Sequence, residues 1–187
     1  MQRTTAATPK VAEYDASMST PRPSRPFMPG YGILPADEGS GLLPWSWAEE
    51  RLVRSRNYWL VSTWPDGRPH AMPVWGVWHE GSFWFSSSGG SRKSRNLMHD
   101  ARCVVTTEDA QDPVVLEGTA QLVTRPEDLE TLLHLENAKY GTSYGIEMLD
   151  PELNSTFRVR PTWAFALSQA DFQGSPTRWR LQEPSEG

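Results

Sequence analysis

One cysteine, Cys103, stands in a chain of 187 residues, so no intrachain disulfide can form. That economy fits a reducing compartment. No stretch approaches the roughly 18 consecutive apolar residues needed to cross a bilayer, and no membrane partner is expected. The opening run MQRTTAATPKVAEYD lacks the apolar segment of a signal peptide, so the expectation is a soluble, cytoplasmic protein. Positive charge is also in deficit. The formal net charge is −5, which disfavours nucleic acid as a partner.

Self-contained catalytic motifs are missing as well. There is no G-x-S-x-G elbow, and Gly30-Tyr31-Gly32 opens like a dinucleotide loop but meets Pro35 where the third glycine belongs. The four histidines, at 70, 79, 99 and 134, are scattered, and only His99 and Cys103 share a metal-like spacing. That pair would run from a helix end into a strand, so no metal site is expected. Glu49-Glu50 and Glu108-Asp109 are paired carboxylates, but one pair falls on a helix surface and the other in a turn.

Tryptophan, by contrast, is abundant. Nine residues, at 45, 47, 59, 64, 75, 78, 84, 163 and 179, give nearly every expected element one. Packing in a core and between subunits accounts for most of them, and one or two could line a pocket for a flat ligand.

Residues 1–40 are rich in Pro, Ser, Thr and Gly and show no sustained period. They read as a disordered or extended arm, with Phe27, Met28 and Tyr31 to dock it. Residues 41–187 form the expected folded domain. WAEERLVRSR, Trp47–Arg56, reads as a helix capped by Ser46, with Glu49 completing a capping box and Trp47, Leu52 and Val53 as its buried stripe. YWLVSTW and PHAMPVWGVW read as strands joined by a turn at Asp66-Gly67. SFWFSSS is a third strand, SRKSRNLMHD a short helix, and ARCVVTTE and PVVLEGTAQLV two more strands. Pro126 opens a longer helix that stops at Gly141. STFRVRPTWAFALSQ returns as a strand, and TRWRL closes the fold. Sequential hairpins with few crossovers point to a mainly β protein built as an antiparallel barrel.

One segment keeps a chemical interest of its own. In SSSGGSRKSRNL, from Ser86 to Leu97, serines and two glycines lead into a cationic helix start. A helix N-terminus carries free N–H groups and partial positive charge. Ser86, Ser87, Ser88 and Ser91 offer hydroxyls, while Arg92, Lys93 and Arg95 add charge. Residues 88–102 hold four cations against one anion within a chain of net charge −5. As a pattern this reads either as a phosphate site or as a solvated basic helix end.

PDGRPHAMPVW, the F-W-F strand, SRKSRNL, DARCVV and VVLEGTA follow one another in an order and spacing that resemble the pyridoxamine 5'-phosphate oxidase-like split β-barrel superfamily. The likeness is closest to its flavin/deazaflavin oxidoreductase branch and covers about residues 45–182. The resemblance implies a six-stranded antiparallel split β-barrel with flanking helices, a homodimer, and a cofactor held between subunits. It places Lys93 as the main phosphate cation, with Ser91, Arg92 and Asn96 as neighbours and Ser86, Ser87 and Ser88 beside the ribityl chain. Met72, Pro73, Val74 and Trp75 would face the ring system, and Arg178 and Trp179 would reach in from the other subunit. Pro73 has no N–H, so neighbouring backbone would supply polar contacts to the ring. The implied cofactor is the deazaflavin F420, with FMN as the alternative. The K-S-R-N-L helix and the tryptophan-rich strands favour F420, whose acidic tail Arg54, Arg56 or Arg95 could meet; Ser91, where some F420-binding relatives carry a further cation, keeps FMN open. The implied activity is hydride transfer to a small organic substrate, and the alternative is a cofactor carrier without turnover. No catalytic acid or base is singled out, although Tyr58, His70 and Tyr144 could each donate a proton.

Overall fold

The computed structural model describes residues 20–181. The expected arm therefore lies outside the described residues as far as residue 19. From there the chain is tied to the body. β1 (Arg22–Ser24) pairs antiparallel with β9 (Thr177–Arg180). The Arg25 guanidinium donates to the Pro176 and Pro35 carbonyls at 2.6 and 3.0 Å. Leu34 N–H reaches Gln173 O at 3.0 Å, while the Phe27 ring is left 92% exposed.

Among the described residues the fold is mainly antiparallel β, with nine strands and three α-helices. Helix α1 (Trp45–Arg54) is preceded by Pro44, whose fixed extended backbone starts the helix one turn position before Ser46. Ser46 thus sits inside the helix, and no side chain caps it. The buried stripe is Trp45, Ala48 and Leu52. Trp47 only packs partly on the core, and Val53 is exposed. Trp45, Ala48 and Leu52 follow the i, i+3, i+7 spacing of one helix face. Inside the core Trp45 meets Trp179 and Trp78 edge-on, with ring centroids 5.6 and 6.3 Å apart.

β2 (Tyr58–Thr63) and β3 (Pro69–Val74) form a hairpin whose turn uses Gly67 at φ 87. β4 (Val77–His79) and β5 (Ser82–Ser88) form a second one. After α2 (Arg92–His99) come β6 (Arg102–Thr107) and β7 (Val114–Val123). α3 (Pro126–Tyr140) carries Pro126 at its first turn, and Gly141 ends it in the left-handed region at φ 68. β8 (Asn154–Ala166) is the central strand, pairing with β5, β7 and β9. The sheet order runs β1-β9-β8-β7-β6-β2-β3, and β5 joins it through β8.

Six strands in a barrel were expected; the ladder has nine and is open where Trp75 and Gly76, between β3 and β4, belong to neither. The extra strands have simple origins. β1 is a short edge piece, β9 a short strand between it and β8, and the β3–β4 segment is broken in two at Trp75 and Gly76.

Alternation sorts the faces. Tyr58, Leu60 and Ser62 of β2 are buried, while Trp59 is 45% exposed on the opposite face. The main core joins Leu60, Phe83, Phe85, Val105, Leu116 and Phe157, among others. A second cluster lies under α3, where Leu129 and Leu132 pack with Val77, Trp84, Val123 and Leu149. Burying each such side chain contributes roughly 1.5–3 kcal/mol, which explains why α3 docks although its amphipathic pattern is diffuse.

Candidate functional site

The serine loop sits where β5 ends. Ser86, Ser87 and Ser88 pair with Thr156, Ser155 and Asn154 at the start of β8, and Gly89 N–H donates to Leu153 O at 2.9 Å. Thr156 Oγ1 donates to Ser86 Oγ at 3.1 Å. Ser91 is the N-cap of α2: its Oγ accepts from Ser94 N–H at 3.3 Å. Ser87 and Ser91 hydroxyls are 3.2 Å apart, and Ser94 Oγ donates to Ser88 O at 2.9 Å. These bonds tie the loop to the first turn of the helix.

The cap satisfies only part of that turn. The N–H groups of Arg92 and Lys93 make no hydrogen bond among the described residues. Nor do Arg92, Lys93 or Arg95 enter an ion pair among the described residues. Partial burial draws the Lys93 ammonium below its ordinary pKa. Arg92 lies 3.7 Å over the Trp64 ring, which Arg68 flanks at 4.4 Å. Gly90 is not crowded: a Cβ there would meet nothing nearer than Ser88 Oγ at 3.8 Å. Two free backbone donors, an unpaired ammonium and an open glycine fit a phosphate group.

Two residues implied for this site are turned elsewhere. Asn96 is fully buried beneath α2, and its Nδ2 donates to Ser62 Oγ at 3.1 Å. It fastens the helix to β2, while its Oδ1 is left without a partner. Trp179 is wholly buried against Trp45, as a core side chain of its own chain. Its neighbour Arg178 faces outward, its guanidinium 3.7 Å from the Trp163 ring centre. Arg178 lies at the far end of β8 from the serine loop, since Ser88 pairs with Asn154 and Phe165 with Arg178.

Met72 is exposed, Val74 is buried, Pro73 pairs with Trp59 on the outer face, and Trp75 is half-exposed just past the end of β3. Of the proposed tail contacts, Arg54 is paired with Glu50 at 2.7 Å and Arg56 lies 5.6 Å over Tyr140, whereas Arg95 is exposed.

Residues 48–168 match the family model described as Pyridoxamine 5'-phosphate oxidase. The chain belongs to the pyridoxamine 5'-phosphate oxidase family. A search of curated proteins finds no match. Among solved structures the fold is similar to an F420 reductase, with 21% identity and TM-score 0.52, over 62% of this chain and 94% of that one. A conserved hypothetical protein from Mycobacterium tuberculosis is 21% identical with TM-score 0.56, over 83% of this chain and 94% of that one. HutZ, a heme storage protein from Vibrio cholerae, is 19% identical with TM-score 0.50, over 62% and 85% of the two chains. At these identities the likeness is one of fold. Membership in the pyridoxamine 5'-phosphate oxidase family agrees with the order of strands and helices above.

No helix among the described residues is long and apolar enough to cross a membrane. No cluster of three metal-ligating side chains occurs among the described residues either.

A group of residues that sequence reasoning did not connect surrounds the break between β3 and β4. Lys139, near the end of α3, donates to Gly76 O at 2.7 Å and to Tyr58 Oη at 2.8 Å. Tyr140 Oη accepts from Gly76 N–H at 2.8 Å and lies within 2.7 Å of Arg56 O. Burial pulls Lys139 down to about 8 and pushes Glu136 up to about 7. The only sequence signal was the polar run at the end of an otherwise leucine-faced helix.

Proposed function

We propose that this protein is an F420-dependent oxidoreductase, built as a homodimer, that reduces or oxidises a small organic substrate. The observation that carries the reading is the serine loop, with two unbonded helix N–H groups and an unpaired Lys93 in one place. Family membership supports a flavin or deazaflavin there, and the F420 reductase among its structural neighbours favours the deazaflavin. FMN is the second reading, because the same loop chemistry takes either phosphate; a carrier that binds without turnover is the third.

The finer architecture follows the same line. Taken as one bent strand, β3–β4 completes a ring of six through the β2–β3, β4–β5, β5–β8, β8–β7, β7–β6 and β6–β2 pairings. That arrangement supports a split barrel. Its outer face sets Pro73, Trp59, Thr106, Val115, Phe165 and Arg178 in one row across the strands. A second copy packed on this face would cover its apolar part and carry Arg178 toward the partner's cofactor. Trp179, being core, has no part in that contact.

In this reading Lys93, the Arg92 and Lys93 N–H groups and the hydroxyls of Ser87 and Ser91 hold the phosphate. Ser86 and Ser88 flank the polar chain, and the ring lies along β3 and its end, with Pro73 on the outer face, Met72 on the opposite one and Trp75 beyond them. When bound, the cofactor supplies the hydride, which is why a catalytic acid–base cluster is not required. The protein orients the ring and excludes water from it.

The test is direct. The purified protein is titrated with F420 and with FMN, and each reduced cofactor is then offered a panel of electron acceptors. Binding of F420 with acceptor-dependent oxidation is expected. Lack of affinity for both cofactors overturns the proposal, and binding without oxidation across the panel leaves the carrier reading in its place. Sedimentation at micromolar concentration should give a dimer that Trp59→Glu dissociates.

A further inference from the structure

The clamp at the end of α3 has a direction to it. Gly76 belongs to no strand ladder, so its N–H and C=O must find partners elsewhere. Both find them on α3, 63 and 64 residues away in sequence. Tyr140 Oη takes the N–H at 2.8 Å. Its single proton has two carbonyls in range, Arg56 O at 2.7 Å and Gly76 O at 3.0 Å. With that proton on the nearer Arg56 O, the Gly76 carbonyl depends on Lys139 at 2.7 Å.

The neighbouring residue is what the clamp presents. The Trp75 indole lies flat on the Tyr140 ring, with centroids 4.3 Å apart and planes 7° from parallel. Trp75 is nevertheless 46% exposed, so one side of its ring is covered by Tyr140 and the rest faces out. It follows Val74, one residue past the last β2–β3 pair, Tyr58 with Val74.

We infer that Lys139 is a positioning residue: by holding the Gly76 carbonyl beside the Tyr140 clamp, it fixes the Trp75 ring as a stacking platform for a planar heteroaromatic ligand. Offset stacking needs a platform of set tilt, and a ring hinged on an unpaired glycine would not keep one. The ammonium lies 4.5 Å from the centre of the Tyr58 ring and 5.5 Å from that of Tyr140, so it is braced by both aromatic faces. Burial draws its pKa down, which means the fold bears a desolvation cost to keep a lysine here. A methionine of similar length would fill the same space without that cost.

The inference rests on the proposed cofactor reading, and the experiment separates the two. Acrylamide quenching of the cofactor-free protein is measured for wild type, Lys139→Met, Lys139→Arg and Tyr140→Phe. Each is compared with its Trp75→Phe counterpart, so that the Trp75 contribution is obtained by difference. Affinities for F420 and FMN are measured on the same proteins. Lys139→Met should raise the Trp75 quenching constant and weaken cofactor binding, because the hydrogen bond that fixes the platform is lost. Lys139→Arg should recover most of both effects, which a space-filling role would not produce. Tyr140→Phe keeps the ring stack, removes the hydroxyl, and serves as the second variant should Lys139→Met fold poorly; it should also loosen Trp75. Unchanged Trp75 quenching in Lys139→Met and Tyr140→Phe overturns the inference. Should wild type bind neither cofactor, the functional reading falls, and the quenching result still decides whether Lys139 sets Trp75.

Discussion

Replacing Lys93 with alanine separates an anion cradle from a solvated helix end. The side chain has no ion-pair partner among the described residues, and its pKa is drawn down by partial burial alone. Removing it should therefore cost the folded state little, within about 0.5 kcal/mol, as for a surface position. Toward a phosphate the balance differs. A hydrogen bond to a charged group contributes roughly 1.5–3 kcal/mol, and the partial exposure of this lysine argues for the lower end. That corresponds to about a tenfold loss of affinity. The assay is calorimetric titration with FMN and with riboflavin, which carries the same ring system without the phosphate. Lys93→Ala should weaken FMN about tenfold and leave riboflavin unchanged, with the melting temperature held. An equal loss for both ligands, or none for FMN, would refute the phosphate assignment.

Gly90→Ala should leave the melting temperature unchanged, because nothing of the chain crowds that position, yet weaken FMN by steric exclusion of the phosphate; tighter or equal binding would count against the loop. Gly76→Ala should destabilise by about 3 kcal/mol or more in urea, since its Cβ would press on the Phe83 ring and on Trp84 O at 2.6 Å. Cys103 is buried, and burial pushes its thiol up to about 12, so alkylating reagents at pH 8 should label it only in denaturant. Stability should fall as pH rises from 4.5 through 7, because half-buried Glu136 has a raised pKa and binds its proton more tightly folded than unfolded. It should recover above pH 8 toward 10.5, because Lys139 sheds its proton earlier in the fold. Denaturant midpoints across pH 5–10 test this, and Lys139→Met should abolish the alkaline recovery.

Much of the frame was legible because it rests on local signals. Pro126, Leu129, Leu132 and Gly141 announce α3 from end to end, and Asp66-Gly67 marks the β2–β3 hairpin. The start of α1 was misread because Ser46 and Glu49 imitate a capping box, while Pro44 begins the helix earlier. β1 carries no signal of its own: Arg22, Pro23 and Ser24 are a strand only because β9 offers them an edge. The serine loop was visible as a composition, but the inward turn of Asn96 and Trp179 depends on helix phase and strand face at the scale of one residue. The Gly76 clamp was hidden altogether, since its partners stand more than sixty residues apart and none is unusual for its own element.

The long strand β8 meets three neighbours along its thirteen residues. A one-residue slip anywhere in it would turn Phe157 and Val159 outward and misalign all three pairings together. Amide protons there should be the last to exchange with deuterium. Insertions and deletions are tolerated best in the more exposed stretches of the connecting segments, such as 108–111 and 142–145. Divergence in what the protein accepts is thereby steered into those loops, over a spine that cannot change length.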